Sequence, residues 1–285
     1  LFEKPIIDCN EMADITKQLL ASGADIVEMN TIRKRLSGVK GGRFALACEP
    51  AHVYTVVLSD VIGDPLDMIA SGPAYPDSST CEEALAIAKK YELVLSDNAL
   101  ESLKKETPKD LKNVTTYITG SVKQLAVSAT KKAVELGYKP VTLTSSLTCE
   151  ARDAGSFLAA IAREYQDTKE SLAFFAGGET VVHLTGKGMG GRNQEIALAG
   201  AKGIDGLEGT CIYSFGSDGT DGPTDAAGAY ADGETMKKFR EAGIDVDEVL
   251  KNNDAYNAFK KIGGLIITGA TGTNVNDLSV LLIKR

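Results

Sequence analysis

From Val114 the chain alternates between short apolar runs and amphipathic stretches, and this alternation constrains the fold more than any other feature. An apolar run to Thr119 is followed by a helix pattern opened by Ser121-x-x-Gln124 and closing near Leu136. A run at 141–144, a helix pattern over about 150–165 and a run at 172–175 complete the series. Strands joined through helical connections pair in parallel and leave the helices on the sheet's faces. The expectation is therefore a β-α-β-α-β, doubly wound, Rossmann-like half-sheet. Runs at 181–184, 211–215 and 265–268 should extend it, with a helix after Gly191 and several short helices between Gly233 and Lys261.

The front of the chain reads differently. Asn10, with Met12, Ile15 and Leu19 on one stripe and Gly23 behind them, predicts a helix over 10–22, and a second helix runs to about Leu36. The run 53–58 is apolar and β-branched throughout, which suits a strand buried on both faces of a parallel sheet. Thr80 and Glu83 form a capping-box start for a helix to about Tyr91, and Ser96 caps another. The polar stretch around Thr107–Asp110 then divides the sequence into domains at 1–112 and 113–285. The fold class is α/β, each domain a largely parallel sheet flanked by helices.

Charge and composition narrow the partners. Lys and Arg total 31 against 39 Asp and Glu, and a net charge of −8 repels nucleic acid and anionic membrane surfaces. A small anionic ligand must then be held by a local site. No apolar run has the ~20 residues that cross a bilayer. Cys9, Cys48, Cys81, Cys149 and Cys211 are scattered and odd in number, with no C-x-x-C pair, which fits a reducing cytoplasm better than a disulfide framework or zinc knuckle. His52 and His183 are the only histidines and both sit beside strand-like runs, so a histidine triad is not expected.

Three glycine-rich turns follow strand runs. The segment GSDGTDGPTDAAG, from Gly216 through Ser217, Asp218, Gly219, Thr220, Asp221 and Asp225 to Gly228, sits directly after the strand run ending at Phe215. Ligands of open α/β sheets collect at that edge, where glycines admit phosphate and carboxylates hold a hard cation. A solvated turn cluster is the alternative reading. KGMGGRNQE, from Lys187 through Gly190, Gly191, Arg192 and Asn193 to Glu195, runs into an Ala/Leu-rich helix. Free N–H groups at the helix start and the planar charge of Arg192 can hold a carboxylate or phosphate; an ordinary turn with a solvent-facing Arg explains the segment equally well. The third turn contains Thr271 and Gly272 and departs from both G-x-G-x-x-G and G-x-x-x-x-G-K-[ST]. In the first domain, Ser59–Asp60 and the turn Ser71-Gly72-Pro73 follow the 53–58 run, and Asp60 could orient a hydroxyl or metal, though strand-end aspartates often only form turns.

The ordered phrases GGRNQEIALA, GSDGTDGPTDAAGA, NNDAY and LIITGATGTNVNDL resemble the MOFRL domain of the glycerate 2-kinase family. Upstream, LLASGADIVEMNTIRKRLSGVKGG, LSDVIGDPLDMIASGP and YPDSST are similar to the latter part of that family's N-terminal domain. The resemblance implies transfer of the ATP γ-phosphoryl group to the 2-hydroxyl of D-glycerate with Mg²⁺, in a two-domain α/β enzyme with its active site in the cleft. It places Arg192 and Asp60 as catalytic residues and Asp218 and Asp221 as metal ligands. Gly190, Gly191, Asn193, Glu195, Gly216, Ser217, Gly219, Thr220, Thr271 and Gly272 would hold substrate and phosphate. Family members are longer at the front and carry there a functional lysine and a glycine-rich turn without counterparts here, so a segment ahead of Leu1 is expected. An NAD(P)H-dependent hydroxypyruvate reductase and a non-catalytic nucleotide-binding module are the competing readings, and a homodimer is one possible assembly.

Overall fold

The computed structural model describes residues 4–63 and 65–285. Residues 1–3 and Asp64 of the LSDVIGD phrase lie outside the described residues. The chain divides into two compact units, Leu1–Val57 with Asp64–Thr119, and Leu58–Gly63 with Gly120–Arg285. The 112/113 position thus falls inside the first unit.

The first unit is mainly helical. Its helices are α1 (Cys9–Ala21), α2 (Ile26–Arg35), α3 (Arg43–Ala47), α4 (Cys81–Lys90) and α5 (Asp97–Leu103). Asp8 caps α1 by accepting the Asn10 and Glu11 N–H groups, so the cap lies two residues ahead of the expected Asn10. The capping box of Thr80 and Glu83 and the Ser96 cap form as read. Met12, Ile15 and Leu19 of α1 pack with Met29, Ile32 and Leu36, and with Ala84, Ala88, Ala99 and Leu103, into one core. Beside it lies a buried ion network: Lys34 reaches Asp77 at 3.0 Å and Asp67 at 3.3 Å, while Arg35 donates to Ser79.

The expected strand at 53–58 is present as β1 (Val53–Leu58), but its partner is only β2 (Val114–Gly120) in a two-stranded sheet. Side chains alternate between half-buried and exposed, with Tyr54, Val56 and Leu58 open. An apolar run suggests burial on both faces; a two-stranded sheet leaves every second side chain outside.

The second unit holds a six-stranded sheet. Its elements are α6 (Val122–Glu135), β3 (Lys139–Leu147), α7 (Ala151–Glu164), β4 (Leu172–Gly178), α8 (Arg192–Gly203), β5 (Thr210–Gly216), β6 (Gly228–Asp232), α9 (Thr235–Glu241), α10 (Val246–Lys251), α11 (Ala255–Ile262), β7 (Leu265–Ile266) and β8 (Asp277–Ile283). The strand order is β3-β4-β8-β5-β6-β7. Only β3 and β4 pair in parallel; the other neighbours are antiparallel. This corrects the expectation of a largely parallel sheet, because β8 inserts between β4 and β5 in the opposite direction. The expected strand at 181–184 reduces to a single bridge at Val181, and that at 265–268 to the two residues of β7.

Both faces of the sheet are covered. Leu172 and Phe174 of β4 and Leu281 and Ile283 of β8 face one core with α7, α8 and α11, whereas Ala173, Phe175, Leu278 and Val280 face the core against α6. This two-residue alternation over buried strands marks an α/β layer fold with helices on both faces. α7 and α8 approach closely where they cross. A Cβ on Gly155 would stand 2.2 Å from the Ile196 carbonyl oxygen, so only glycine fits there. Among the described residues no helix is long and apolar enough to cross a membrane.

Candidate functional site

The start of α8, the turn after β5 and the start of β8 converge on one edge of the second unit's sheet. Glu179, Gly190, Gly191, Arg192, Glu195, Asp218, Thr220, Asp221 and Pro223 line a cleft of about 960 Å³ there, with Ile62, Val181, Val182 and Leu184 supplying apolar wall. Seven expected residues therefore come together: Gly190, Gly191, Arg192, Glu195, Asp218, Thr220 and Asp221. Asn193, Gly216 and Gly219 are buried and Ser217 half-buried, none of them lining the cleft, and Thr271 and Gly272 are exposed on another loop. Asp60 is exposed past the end of β1 and does not line the cleft, although Ile62 does.

The turn after β5 is held by hydrogen bonds. Asp218 Oδ1 accepts the Thr220 N–H at 2.9 Å. The Asp218 carbonyl accepts the Thr271 N–H at 3.1 Å, and the Ser217 carbonyl accepts the Thr271 hydroxyl at 2.6 Å, which ties the third glycine turn to the first. Gly219 has φ +88°, and a Cβ there would meet the Gly269 carbonyl oxygen, so this junction requires glycine.

The helix start differs from the expectation of free N–H groups. Gly191 is the N-cap and has no side chain to cap with; Asp221 does so from the neighbouring loop. Its Oδ1 accepts the Asn193 N–H at 3.1 Å and the Asn193 amide at 3.3 Å, and its Oδ2 accepts the Gln194 N–H at 2.8 Å. A Cβ on Gly191 would fall 2.3 Å from the Asp221 carboxyl group, so glycine makes room for this borrowed cap. Burial pushes the Asp221 carboxyl up to about 6; the Gln194 and Asn193 donors oppose that rise and the nearby Asp277 charge adds to it. Asn193 also accepts the Ser214 hydroxyl, and Ser214 contacts Ser279, which anchors the helix start to β5 and β8.

Arg192 lies at the cleft, yet its side-on fork is already engaged. Nε donates to Asp277 Oδ2 at 2.5 Å, Nη2 to Asp277 Oδ1 at 3.2 Å, and Nη1 to Glu179 Oε1 at 2.9 Å. Burial alone would lower the Arg192 pKa, but the Asp277 hydrogen bonds and the charges of Asp277 and Glu179 raise it. Asp277 is held above the usual carboxylate range by burial, against the pull of Arg192. Glu195 is likewise paired, to Arg152 at 2.5 Å and Asn253 at 3.3 Å.

Asp277, Glu179, Arg152 and Asn253 were not singled out by the sequence. Asp277 stands inside the phrase NVNDL, where nothing local shows that a strand begins; Glu179 follows the Gly177-Gly178 end of β4. Asp225 precedes β6 and accepts the Tyr256 hydroxyl at 2.7 Å.

The donor set suits a cation that keeps most of its ligands from water and substrate. Among the described residues the only trio of ligand atoms gathered within 4.8 Å is Cys81, Glu82 and Glu106 in the first unit, so Asp218 and Asp221 form no closed cage. Mg²⁺ needs no cage, since it takes one or two carboxylates beside phosphate oxygens and waters. Asp218 fits: one carboxylate oxygen binds Thr220, and the other has no protein donor among the described residues.

Glycine turns, a doubly paired arginine and an aspartate with one carboxylate oxygen free of protein donors among the described residues thus meet in one cleft at the sheet edge of an α/β protein. Residues 1–104 match a domain of unknown function, DUF4147, and residues 172–277 match the MOFRL family. The chain is 52% identical to the D-glycerate 2-kinase of Thermotoga maritima over 99% of its own length and 69% of that protein. It is 41% identical to the glycerate 2-kinase of Pyrococcus horikoshii, over 99% of this chain and 68% of that one. The crystal structure of glycerate kinase from Thermotoga maritima superposes with a TM-score of 0.96 at 51% identity, covering 100% of this chain and 70% of that chain. The chain belongs to the glycerate 2-kinase family.

Proposed function

We propose that this protein transfers the γ-phosphoryl group of ATP to the 2-hydroxyl of D-glycerate, giving 2-phosphoglycerate and ADP. The observation that carries the reading is 52% identity to a D-glycerate 2-kinase across 99% of the chain. The cleft is consistent with it, because phosphoryl transfer asks of a protein mainly positioning and charge neutralisation. In the reaction the 2-hydroxyl oxygen bonds to the γ-phosphorus, the bond to the β,γ-bridging oxygen breaks to leave ADP, and the hydroxyl proton passes to solvent.

Each residue takes a part. Arg192 steadies an anionic oxygen with donors that its own carboxylate partners leave over, while Gly190, Gly191 and Thr220 shape the floor beside it. The part of orienting the substrate hydroxyl goes to Asp60 on the family resemblance alone, since this residue does not line the cleft. Asp218 would hold Mg²⁺, which when bound neutralises charge on the phosphate oxygens. Asp221 contributes by fixing the start of α8 rather than by offering unoccupied oxygens. The net charge of −8 favours a small-molecule partner over nucleic acid.

The test is a paired assay on the full-length gene product. With ATP, Mg²⁺ and D-glycerate, ³¹P NMR should show 2-phosphoglycerate, and hydroxypyruvate should consume no NADH. NADH consumption without ADP formation would establish the reductase instead, and inactivity in both assays would favour a binding module.

A further inference from the structure

The strand that begins at Asp277 is antiparallel to both of its neighbours, so its first residue reaches the same sheet edge as the ends of β4 and β5. In register, Asp277 lies opposite Gly178 on one side and Gly216 on the other. Two glycine neighbours leave its side chain no flanking side chain to compete with, and ladders on both sides hold its backbone. Asp277 is only 5% exposed, whereas the Arg192 side chain it grips is 34% exposed and faces the cleft. A buried, doubly laddered carboxylate is a rigid mount for a partly exposed cation.

The guanidinium arithmetic matters. Of its five N–H donors, the Nε donor and one on Nη2 go to Asp277, and one on Nη1 goes to Glu179. One donor on each terminal nitrogen remains without a partner among the described residues. Since Asp277 takes the edge shared by Nε and Nη2, the donor left on Nη2 lies on the end-on edge, the one that can address a ligand oxygen.

Resting on the reading of Arg192 as a residue that touches substrate, we propose that Asp277 is the positioning residue for Arg192: it takes the side-on edge of the guanidinium and thereby presents the end-on edge to the anionic group of the bound substrate. Asp277 itself touches no reacting atom. It sets the plane and reach of Arg192, and Glu179 limits rotation from the other side. Without Asp277 the arginine keeps its charge but loses its fixed direction, and a misplacement of ~1 Å near the chemistry costs about 100-fold in rate.

A double-mutant cycle in the full-length gene product tests this. Turnover with D-glycerate and ATP, and the melting temperature, are measured for wild type, Asp277→Asn, Arg192→Ala and the double variant. Asp277→Asn should lower kcat by about 10- to 100-fold with little change in KM for ATP. Arg192→Ala should lower it at least as much, and the double variant should be no slower than Arg192→Ala. Arg192→Ala strands a buried carboxylate, so the double variant should melt higher than Arg192→Ala while gaining no activity, a separation that a purely structural role would not give. Should Asp277→Asn fail to fold, Asp277→Glu, which keeps the charge but displaces the fork, takes its place in the same cycle. Unchanged kcat in Asp277→Asn beside an inactive Arg192→Ala overturns the positioning role alone, as do losses that multiply in the double variant. Full activity in Arg192→Ala overturns the reading of Arg192, and the positioning role with it.

Discussion

Replacing Asp221 with Asn should change how stability depends on pH, by an amount set by the site itself. The carboxyl is 3% exposed and its pKa is raised from an ordinary 3.8 to about 6. A raised carboxyl pKa means that the folded protein binds the proton more tightly than the unfolded chain. This contribution to stability is therefore fully present below the unfolded pKa and is lost as pH rises through the folded one. At about 1.4 kcal/mol per pH unit, the ionised form costs about 3 kcal/mol by neutral pH. Asn keeps one acceptor for the Asn193 or Gln194 N–H and carries no titrating proton. Relative to wild type, Asp221→Asn should thus gain about 2.5 kcal/mol between pH 4 and pH 7.5, with most of the change between pH 4 and 6. Urea unfolding of both proteins across that range measures the difference directly. A gap between the two that stays constant with pH would show that Asp221 is not a strained, buried charge at the start of α8.

Four further outcomes follow from the same contacts. Gly191→Ala puts a Cβ 2.3 Å from the Asp221 carboxyl; it should cost about 1–3 kcal/mol and lower turnover, and a wild-type melting curve would contradict the borrowed cap. Lys34→Met leaves Asp77 and Asp67 buried without their shared cation, so urea unfolding should show a loss of about 3–5 kcal/mol. Arg192→Lys should be nearly as damaging to turnover as Arg192→Ala, because an ammonium cannot bridge Asp277 and Glu179 in one plane; near wild-type activity would show that the fork is unimportant. In a magnesium titration Asp218→Asn should raise the concentration needed for half-maximal activity, whereas Asp225→Asn, which loses only its bond from Tyr256, should not.

Local structure was largely legible because its causes are local. The Thr80–Glu83 capping box, the Ser96 and Ser121 caps and the stripe Met12–Ile15–Leu19 each need only a few consecutive residues, and all take the expected form. Strand context was less legible. An apolar run carries no record of how many neighbours it will have, so β1 read as a buried strand and proved half open. A β-α-β rhythm predicts parallel pairing, but the order β4-β8-β5 is made by a strand about a hundred residues further on, whose direction no local pattern announces.

The candidate site divides along the same line. The sequence by itself determined where the chain can turn tightly and which polar groups stand there: Gly190–Arg192 ahead of α8, and Gly216–Asp221 after β5. Glycine spacing and helix-start residues act through backbone geometry within a turn, and so they can be read from a short window. Only the tertiary structure decided what those groups do. It brought Asp221 across to cap a helix that has no capping side chain of its own, and it delivered Asp277 to the edge by running β8 backwards. Both facts depend on residues far apart in the chain meeting in a buried place, where an unpaired charge is too costly to leave and each polar group takes whichever partner the fold supplies.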